Sequence, residues 1–303
     1  MSRYLYPVIL FLAAIFFYRG YQLRSQRLLR GQQDNIKLET INAESQNNKC
    51  HIKKATFVHS YSNHKYKTVT VGSEFGRGWH TVETNIVPTS IVYSIGVGID
   101  TAWDVKMLKE YGVAVYGYDP SAKATKVVEK NPILNDPINS FPYYFHQEGL
   151  TSKDNEGNEG TSDDGSASKD GDGDVTTTKV TTKTLTQMME MNQHDHIDIL
   201  KLNIGGKELN IMEGWVKQNK EMNRKNAEYV PFNMFDQLLV AFHHIPLPFA
   251  SSLSELKVYD RKVRNRMIDV LRGFEGMGYE IYYSSLNEEL EGGEVSMIKK
   301  KGC

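Results

Sequence analysis

Two glycines and one aspartate follow two successive apolar runs in the first half of the chain, in a spacing that could hold a nucleoside. Gly96 and Gly98 end the run "SIVYSIGVG", and glycines at such a turn let the backbone pass close to a ligand. About twenty residues later, "AVYGYDP" contains Asp119, whose carboxylate could accept hydrogen bonds from a ribose diol. The third glycine of a dinucleotide-binding turn would fall at Thr101, so the pattern gives poor support to a pyrophosphate site.

Polar residues at two further strand ends are candidates for proton chemistry. Asn203 lies at the corner "LNIGGKEL", where it can hydrogen-bond but cannot take up a proton as a carboxylate base would at neutral pH. His243 and His244 end the run "FDQLLVAFHH", and either imidazole could act as a general base toward an acceptor hydroxyl. The alternative is that one histidine is buried and hydrogen-bonded while its neighbour is solvated.

Composition argues against several other classes of site. The chain has 36 Lys and Arg against 37 Asp and Glu, so its net charge of -1 gives no electrostatic case for binding nucleic acid. Cys50 and Cys303 lack the spacing of zinc ligands. The segment "DGDGDV" has Val175 where a calcium loop needs glycine and Thr181 where it needs glutamate. We therefore predict no metal site.

The elements that must position these residues alternate along the chain. Apolar runs read as strands, and between them come segments whose apolar residues recur at helical spacing, beginning with "DTAWDVKMLKEYG". This alternation predicts a mainly parallel sheet with helices on both faces. "YYFHQEGL" reads as a third strand of the core, "KTVTVG" and "GWHTVETNIV" as short strands before it, and "YEIYYSSLN" and "EVSMIKK" as a closing antiparallel pair. Trp103 and Asp104 read as a packing aromatic and a first-turn acid.

The first thirty residues predict a membrane anchor. "YLYPVILFLAAIFFY", from Tyr4 to Tyr18, is apolar and is bracketed by tyrosines, which favour a membrane interface. A cleaved signal peptide and an arginine-rich mitochondrial presequence are the alternatives. Four arginines follow the run against Arg3 before it, which predicts a cytoplasmic body. The end "KKKGC" resembles a dilysine retrieval signal, so we expect the endoplasmic reticulum or Golgi membrane, with a mitochondrial location as the alternative.

The predicted domain organisation follows from composition. Residues 1–30 form the anchor, the polar residues 31–55 a stalk, and residues 56–303 one α/β domain. Within that domain, residues 151–174 consist almost wholly of Gly, Ser, Thr, Asn, Lys and acids. Such a segment cannot bury a core, so we expect a disordered acidic insertion at the surface.

Several of these stretches together resemble the FkbM-type, S-adenosylmethionine-dependent methyltransferases, including their membrane-anchored branch. The resemblance runs from Gly72 to Lys299 through "YSIGVGIDTAWDVKML", "VYGYDPS", "FHQEGL", "HIDILKLNIGGKEL" and "QLLVAFHH". It implies a Rossmann-like class I methyltransferase fold, a mostly parallel sheet of seven strands that ends in an antiparallel hairpin. It also implies S-adenosylmethionine as the cofactor. The methionine part would lie against Gly96, Gly98 and Asp100, the ribose against Asp119, and the adenine against Gly149 and Leu150.

The chain departs from this family at three acidic positions. Asn203 and Gly205 stand in the place of the acids of Asp-x-Glu-Gly, and Ala241 stands in the place of the glutamate of Glu-Phe-His-His. The main hypothesis is a membrane-tethered methyltransferase-like protein that methylates a small-molecule or glycan-like hydroxyl acceptor, with catalytic candidates His243, His244 and Asn203. The alternative is a non-catalytic S-adenosylmethionine-binding or scaffold protein. A Rossmann dehydrogenase is disfavoured by the glycine pattern and the terminal hairpin. Neither the acceptor nor the oligomeric state follows from the sequence.

Overall fold

The computed structural model describes nine segments of the chain, namely residues 61–62, 65–72, 78–83, 86–136, 142–152, 181–225, 232–243, 253–286 and 292–300. The predicted anchor, the stalk, the insertion from residue 153 onward and His244 lie outside these segments. Within them, no helix is both long enough and apolar enough to span a bilayer.

The described segments contain twelve strands, which are numbered in chain order. They are β1 (Tyr61–Ser62), β2 (Thr68–Val71), β3 (Trp79–Val82), β4 (Ile91–Ile95), β5 (Ala114–Tyr118), β6 (Tyr143–His146), β7 (Gly149–Leu150), β8 (Thr182–Lys183), β9 (Ile197–Leu202), β10 (Phe235–His243), β11 (Tyr279–Ser284) and β12 (Gly292–Lys299). Eight of them form the central sheet in the order β1-β11-β12-β10-β9-β4-β5-β6. Two small two-stranded sheets, β2-β3 and β7-β8, complete the set.

The central sheet has the predicted mixed architecture. Strands β10, β9, β4, β5 and β6 are parallel neighbours, while β12 runs antiparallel between β10 and β11. The last strand in the sequence is thus inserted beside β10, and the predicted C-terminal antiparallel hairpin is confirmed. Seven strands match the prediction, and the two-residue β1 adds an eighth at the edge beside β11.

In the described segments, five α-helices cover both faces of the sheet, as predicted. They are α1 (Ala102–Lys106), α2 (Ala122–Lys130), α3 (Leu185–Met191), α4 (Glu208–Lys225) and α5 (Leu253–Gly276). Buried side chains of α3, α4 and α5 share one core with Tyr93, Ile95 and Leu200 of the sheet. Those of α1 and α2 share the opposite core with Val92, Ile199 and the β2-β3 hairpin.

Two predicted elements differ in the structure. The segment "DTAWDVKMLKEYG" is not one regular helix, because α1 passes into a π-helical turn at Met107–Tyr111. The segment "YYFHQEGL" is not one strand, because the chain leaves the sheet after His146. The N–H of Gly149 then donates to the carbonyl of Thr181 at 2.9 Å, on the other side of the predicted insertion. Pairing of β7 with β8 therefore joins described residues on either side of the predicted insertion.

A buried ion pair joins α1 to the sheet. Lys201 of β9 is 2% exposed and its Nζ lies 3.7 Å from Oδ2 of Asp104, which is 0% exposed. The same Nζ donates to Oγ of Ser94 at 3.1 Å and lies 5.3 Å from the ring centre of Trp103. Burial raises the pKa of the Asp104 carboxyl, and the charge of Lys201 opposes that rise. Asp104 is therefore a buried ion-pair partner as well as the predicted first-turn acid, and Trp103 packs as predicted.

We expect the removal of either charge of this pair to destabilise the fold. Lys201→Met and Asp104→Asn should each lower the free energy of unfolding by about 3–5 kcal/mol, because the remaining buried charge loses its partner. The double variant should lose less than the sum of the two, as residues in contact are energetically coupled. Urea unfolding of the full-length protein, followed by circular dichroism, measures these differences.

Lys106→Met is the matched control for this cycle. Lys106 lies on α1, as Asp104 does, and its Nζ lies 3.6 Å from Oε2 of Glu110, one turn further along the chain. Exposed pairs of this kind contribute about 0–1 kcal/mol, so this variant should remain close to the wild type. Equal effects of Lys106→Met and Lys201→Met would contradict the assigned importance of the buried pair.

Candidate functional site

The carboxyl ends of three neighbouring parallel strands are joined by backbone hydrogen bonds. The N–H of Gly96, after β4, donates to the carbonyl of Tyr118 of β5 at 2.8 Å. The N–H of Asn203, after β9, donates to the carbonyl of Ile95 at 2.9 Å. These bonds bring the glycine turn, Asp119 and Asn203 to one edge of the sheet. In parallel α/β sheets this edge is the usual position of ligand sites.

The two glycines of the turn have different reasons to be glycine. Gly96 has φ +81°, and a Cβ added there would lie 1.8 Å from the carbonyl oxygen of Asn203. It is required by the close approach of the β4 and β9 strand ends. Gly98 has φ +63°, but no heavy atom lies within 4 Å of the position of an added Cβ. Gly98 therefore borders open space, where a ligand could approach the backbone.

Asp119 joins this turn to the start of α2. It is 8% exposed, and its Oδ2 accepts from the N–H of Gly98 at 2.9 Å. Its Oδ1 accepts from the N–H and the Oγ of Ser121 at 2.9 and 2.6 Å. These bonds use three of the roughly four acceptor positions of a carboxylate. Without rearrangement, Asp119 can thus accept one further hydrogen bond, rather than the two expected from a complete ribose diol.

Asp100 lies beyond the turn, at the entry to α1. Its Oδ1 accepts from the N–H of Ala102 at 3.1 Å. A side-chain acceptor at this position satisfies one of the backbone donors that a helix leaves free at its start. The half-buried Asp100 therefore has a structural role at the helix start, and its expected contact with the cofactor stays a prediction.

Gly149 and Leu150 lie in the β7-β8 ribbon beside the Asp119 strand end. The N–H of Asp119 donates to the carbonyl of His146 at 3.2 Å, and a Cβ at Gly149 would lie 3.5 Å from Pro120. Both residues are buried, and Leu150 belongs to the core on the α3 side. The structure therefore brings the residues expected at the adenine close to those expected at the ribose.

Two side chains beside this ribbon were missed by the sequence analysis. The ring of His146 stacks on Tyr118 with centroids 4.7 Å apart, and burial lowers the pKa of His146, so that the neutral imidazole is favoured. Within the described segments, His146 Nε2 and Glu148 Oε2 are buried polar atoms without a hydrogen-bond partner. The other oxygen of Glu148, Oε1, pairs with Lys183 at 2.7 Å. Buried polar groups in proteins are normally satisfied, so the two remaining atoms are candidate contacts for a ligand or an ordered water.

The corner "NIGG" carries an acid that the sequence analysis did not recognise. Glu208, the first residue of α4, is 1% exposed. Its Oε1 accepts from the N–H of Ile204 at 2.7 Å, and its Oε2 accepts from the N–H of Gly206 at 2.8 Å. In the sequence, Glu208 is an acid two residues after a glycine pair, at the start of a predicted helix. Acids are common at that position because they stabilise the helix N-terminus, so the pattern does not indicate a functional role.

The same carboxylate reaches His243 at the end of β10. Nδ1 of His243 lies 2.9 Å from Oε1 of Glu208, and the His243 side chain is 43% exposed. This hydrogen bond raises the pKa of the His243 imidazole, while partial burial opposes the rise. His243 is therefore both hydrogen-bonded and accessible. The other catalytic candidate of this strand end, His244, lies outside the described residues.

The corner contains a carboxylate even though three positions lack the acids of the family. Asn203, Gly205 and Ala241 remain neutral, but Glu208 supplies a carboxylate from the helix that follows. Asn203 is half-buried next to the glycine turn. Ala241 pairs across the sheet with Glu294, whose carboxylate accepts from the backbone N–H of His80 at 2.7 Å and lies 3.1 Å from its Nδ1.

No metal centre is found in the part of the chain that the structure describes. Groups of three or more His, Cys, Asp or Glu side chains that could hold an ion are absent from those segments. The polar groups at this edge of the sheet suit an organic ligand: an open glycine turn, a carboxylate with one free acceptor position, two unpartnered polar atoms and a paired histidine.

Comparisons with known proteins give one match to a family and several to solved structures. No curated protein sequence matches the chain. A ribosomal protein L11 methylase from Lactobacillus delbrueckii subsp. bulgaricus is 10% identical over 72% of this chain and 74% of its own, with a TM-score of 0.34. A fibrillarin pre-rRNA processing protein from Methanococcus jannaschii is 10% identical over 78% and 83%, with a TM-score of 0.37. Similarities this low have no bearing on the activity.

The match to a family model is extensive and includes most of the site. The model of the methyltransferase FkbM domain matches residues 90–245 of the 303 residues. That range is just over half of the chain, and it runs from the start of β4 past His243 at the end of β10. It includes the glycine turn, Asp119, the corner with Glu208, and His243. This chain therefore belongs to the FkbM methyltransferase family.

Proposed function

We propose that this protein transfers a methyl group from S-adenosylmethionine to a hydroxyl group of a small-molecule or glycan-like acceptor, while its N-terminal segment tethers it to a membrane. Family membership confirms the predicted cofactor. The hydroxyl acceptor and the tether are our proposals, and they rest on the residues discussed below.

The observation that carries this proposal is the open glycine turn beside Asp119. The backbone of Gly98 is in the left-handed region and borders open space. Its N–H donates to Oδ2 of Asp119 at 2.9 Å. The methionine part of the cofactor would lie along Gly96 and Gly98, and its ribose would take the free acceptor position of Asp119. The adenine would lie near Gly149, where the unpartnered atoms of His146 and Glu148 could bind its polar edge.

When bound, S-adenosylmethionine would supply the methyl group of its sulfonium. As the acceptor oxygen bonds to the methyl carbon, the carbon–sulfur bond would break and leave its electron pair on sulfur. The protein contributes orientation. Holding the acceptor oxygen in line with the carbon–sulfur bond lowers the activation barrier, because the two reactants no longer lose that freedom during the reaction. It can also contribute a proton acceptor, which makes the hydroxyl oxygen a better nucleophile. His243 is exposed enough to meet an acceptor and is our candidate for that group.

A non-catalytic binding protein is the second candidate function. It is favoured by Asn203, Gly205 and Ala241, which leave three expected acid positions neutral. Release of S-adenosylhomocysteine distinguishes the two candidates. We expect release above the rate without acceptor for at least one of methyl α-D-glucopyranoside, methyl α-D-mannopyranoside and methyl α-D-galactopyranoside. Cofactor binding without release would favour the non-catalytic function.

The proposed tether rests on the apolar run from Tyr4 to Tyr18 and on the arginines that follow it. An anchor of this kind, with its positive flank on the cytoplasmic side, would hold the family domain in the cytoplasm at the surface of the endoplasmic reticulum or Golgi. The Arg-rich flank also suits a mitochondrial presequence, which is the alternative location.

We expect Asp119→Ala to weaken S-adenosylmethionine binding by more than about tenfold. A hydrogen bond to a charged group contributes about 1.5–3 kcal/mol, and tenfold in affinity corresponds to about 1.4 kcal/mol. One lost bond to the ribose therefore suffices. Isothermal titration calorimetry on the full-length protein measures the change, and an unchanged affinity would show that the nucleoside does not bind at this strand end.

Ser121→Ala is the matched control for Asp119→Ala. It removes the side-chain bond to Asp119 Oδ1 and the cap of α2, but leaves the Asp119 carboxylate in place. We expect a loss of about 0.5–2 kcal/mol in stability from the missing cap. The affinity should change less than about threefold, which is well below 1 kcal/mol. Equal losses of affinity in both variants would mean that Asp119 acts only through the local fold.

The topology of the proposed anchor leads to a separate expectation. Protease added to intact microsomes that carry the full-length protein should digest residues 31–303, because the arginines after the apolar run keep that side cytoplasmic. Immunoblotting of the body before and after detergent lysis measures the protection. Survival of the body until the membrane is lysed would contradict this orientation, and recovery in mitochondria would favour the alternative location.

A further inference from the structure

We propose that Glu208 and His243 form the acid–base pair of the methyl-transfer site, in which Glu208 positions the imidazole and Nε2 of His243 takes the proton of the acceptor hydroxyl. This inference rests on the proposed function and adds to it the group that handles the proton. It also supplies a carboxylate to the site whose acids at positions 203, 205 and 241 are replaced.

Glu208 is held too firmly to be a mobile surface acid. Its side chain is almost wholly buried, and both of its oxygens accept backbone N–H groups of the corner, from Ile204 and Gly206. It also begins α4, where the partial positive charge of the helix N-terminus favours an anion. The carboxylate therefore has a fixed position before any ligand binds, as a positioning group requires.

The third hydrogen bond of Glu208 defines the state of His243. Oε1 lies 2.9 Å from Nδ1, so an ionised Glu208 accepts from a protonated Nδ1. In the neutral ring, Nε2 then carries the lone pair, and an accessible lone pair on a fixed imidazole is what a general base needs. The bond to Glu208 also stabilises the imidazolium that forms when Nε2 takes up a proton.

The pair lies at the same sheet edge as the glycine turn. Val240 is in register with Leu202 of β9, so His243 extends three residues beyond this last paired position. Asn203, the next residue after Leu202, donates its N–H to the carbonyl of Ile95, and its own carbonyl lies beside Gly96. His243 therefore lies at the same edge as the end of the strand that borders the proposed methionine subsite, on the side where the family's acids would have been.

A purely structural role explains only part of this arrangement. An acid in the first turn of a helix commonly accepts backbone N–H groups, which accounts for the bonds from Ile204 and Gly206. It does not require a third bond to a partly exposed histidine on another element. In the proposed step, the hydroxyl proton moves to Nε2 as the new carbon–oxygen bond forms, and the imidazolium later releases that proton to water.

The chain offers a matched pair for comparison at the opposite ends of the same two strands. Nε2 of His196, just before β9, lies 3.2 Å from Oδ1 of Asp236 in β10. The hydrogen bond to Asp236 raises the pKa of His196, as Glu208 does for His243. The amino ends of these strands lie at the opposite edge of the sheet from the glycine turn. Asp236→Asn should therefore lower the pKa of His196 without changing the rate of methyl transfer.

The test compares His243→Gln, Glu208→Gln and Asp236→Asn in the full-length protein with three measurements. Calorimetry measures the affinity for S-adenosylmethionine, and ring signals of ¹³C-labelled histidine measure the titration of His243 and His196. Release of S-adenosylhomocysteine against pH measures turnover with the three methyl glycosides. His243→Gln leaves both backbone bonds of Glu208 intact, so the test does not depend on the folding of Glu208→Gln.

We expect His243→Gln to lose at least about 100-fold in turnover, since general-base help contributes roughly 10²- to 10⁴-fold. Its affinity for S-adenosylmethionine should stay within about twofold, a difference under 0.5 kcal/mol. In the wild type, turnover should rise with pH as His243 loses its proton. In Glu208→Gln the pKa of His243 should fall, because the carboxylate that raises it is gone. The increase of turnover with pH should therefore occur at lower pH and reach a lower maximum. Asp236→Asn should shift only His196.

The outcomes separate this inference from the function on which it rests. Wild-type turnover that survives His243→Gln would overturn the acid–base pair and leave methyl transfer intact. A His243 titration that is the same in the wild type and in Glu208→Gln would overturn the positioning role. Cofactor binding without turnover for any glycoside would contradict the proposed function, and the proton-accepting role with it.

Discussion

The close approach of Gly96 to the carbonyl of Asn203 is the constraint on which the site depends. A side chain at Gly96 would lie 1.8 Å from that oxygen, so only glycine lets the ends of β4 and β9 meet. Backbone bonds to Ile95 and Tyr118 then join three strand ends into one edge. The proposed nucleoside site at Asp119 and the proposed proton acceptor beside Glu208 are brought together because the strands that carry them meet at this edge.

Beneath that edge, the fold places a charge pair where a hydrophobic core would be expected. Lys201 and Asp104 are both buried, and one of the Asp104 oxygens has no hydrogen bond in the described structure, only the ammonium at 3.7 Å. Such pairs are weak contributors to stability relative to a well-packed apolar core, but costly to break. The pair therefore acts mainly to fix the position of α1 against β9, and α1 begins immediately after the glycine turn.

The sequence predicted what depends on local pattern and missed what depends on distant partners. Strands such as Ile91–Ile95, buried on both faces, read directly as apolar runs, so the sheet and its terminal hairpin were predictable. The β7-β8 ribbon was not, because the partner of Gly149 is Thr181, beyond a long polar segment. Glu208 was missed for the same reason. Its cap-like position is local, but its contact with His243 follows only once β10 lies beside β9.

The neutral positions of the corner have a different meaning once Glu208 is recognised. Gly205 has φ +66°, which L side chains rarely adopt, so a glutamate there would be strained although the space beside it is open. It would also stand close to a carboxylate that already accepts from Ile204 and Gly206, and neighbouring like charges disfavour ionisation of both groups. An added acid would thus compete with Glu208 for the corner's N–H groups. The reduction in acids is then compatible with retained proton chemistry, because one fully bonded carboxylate and one accessible imidazole are sufficient for it.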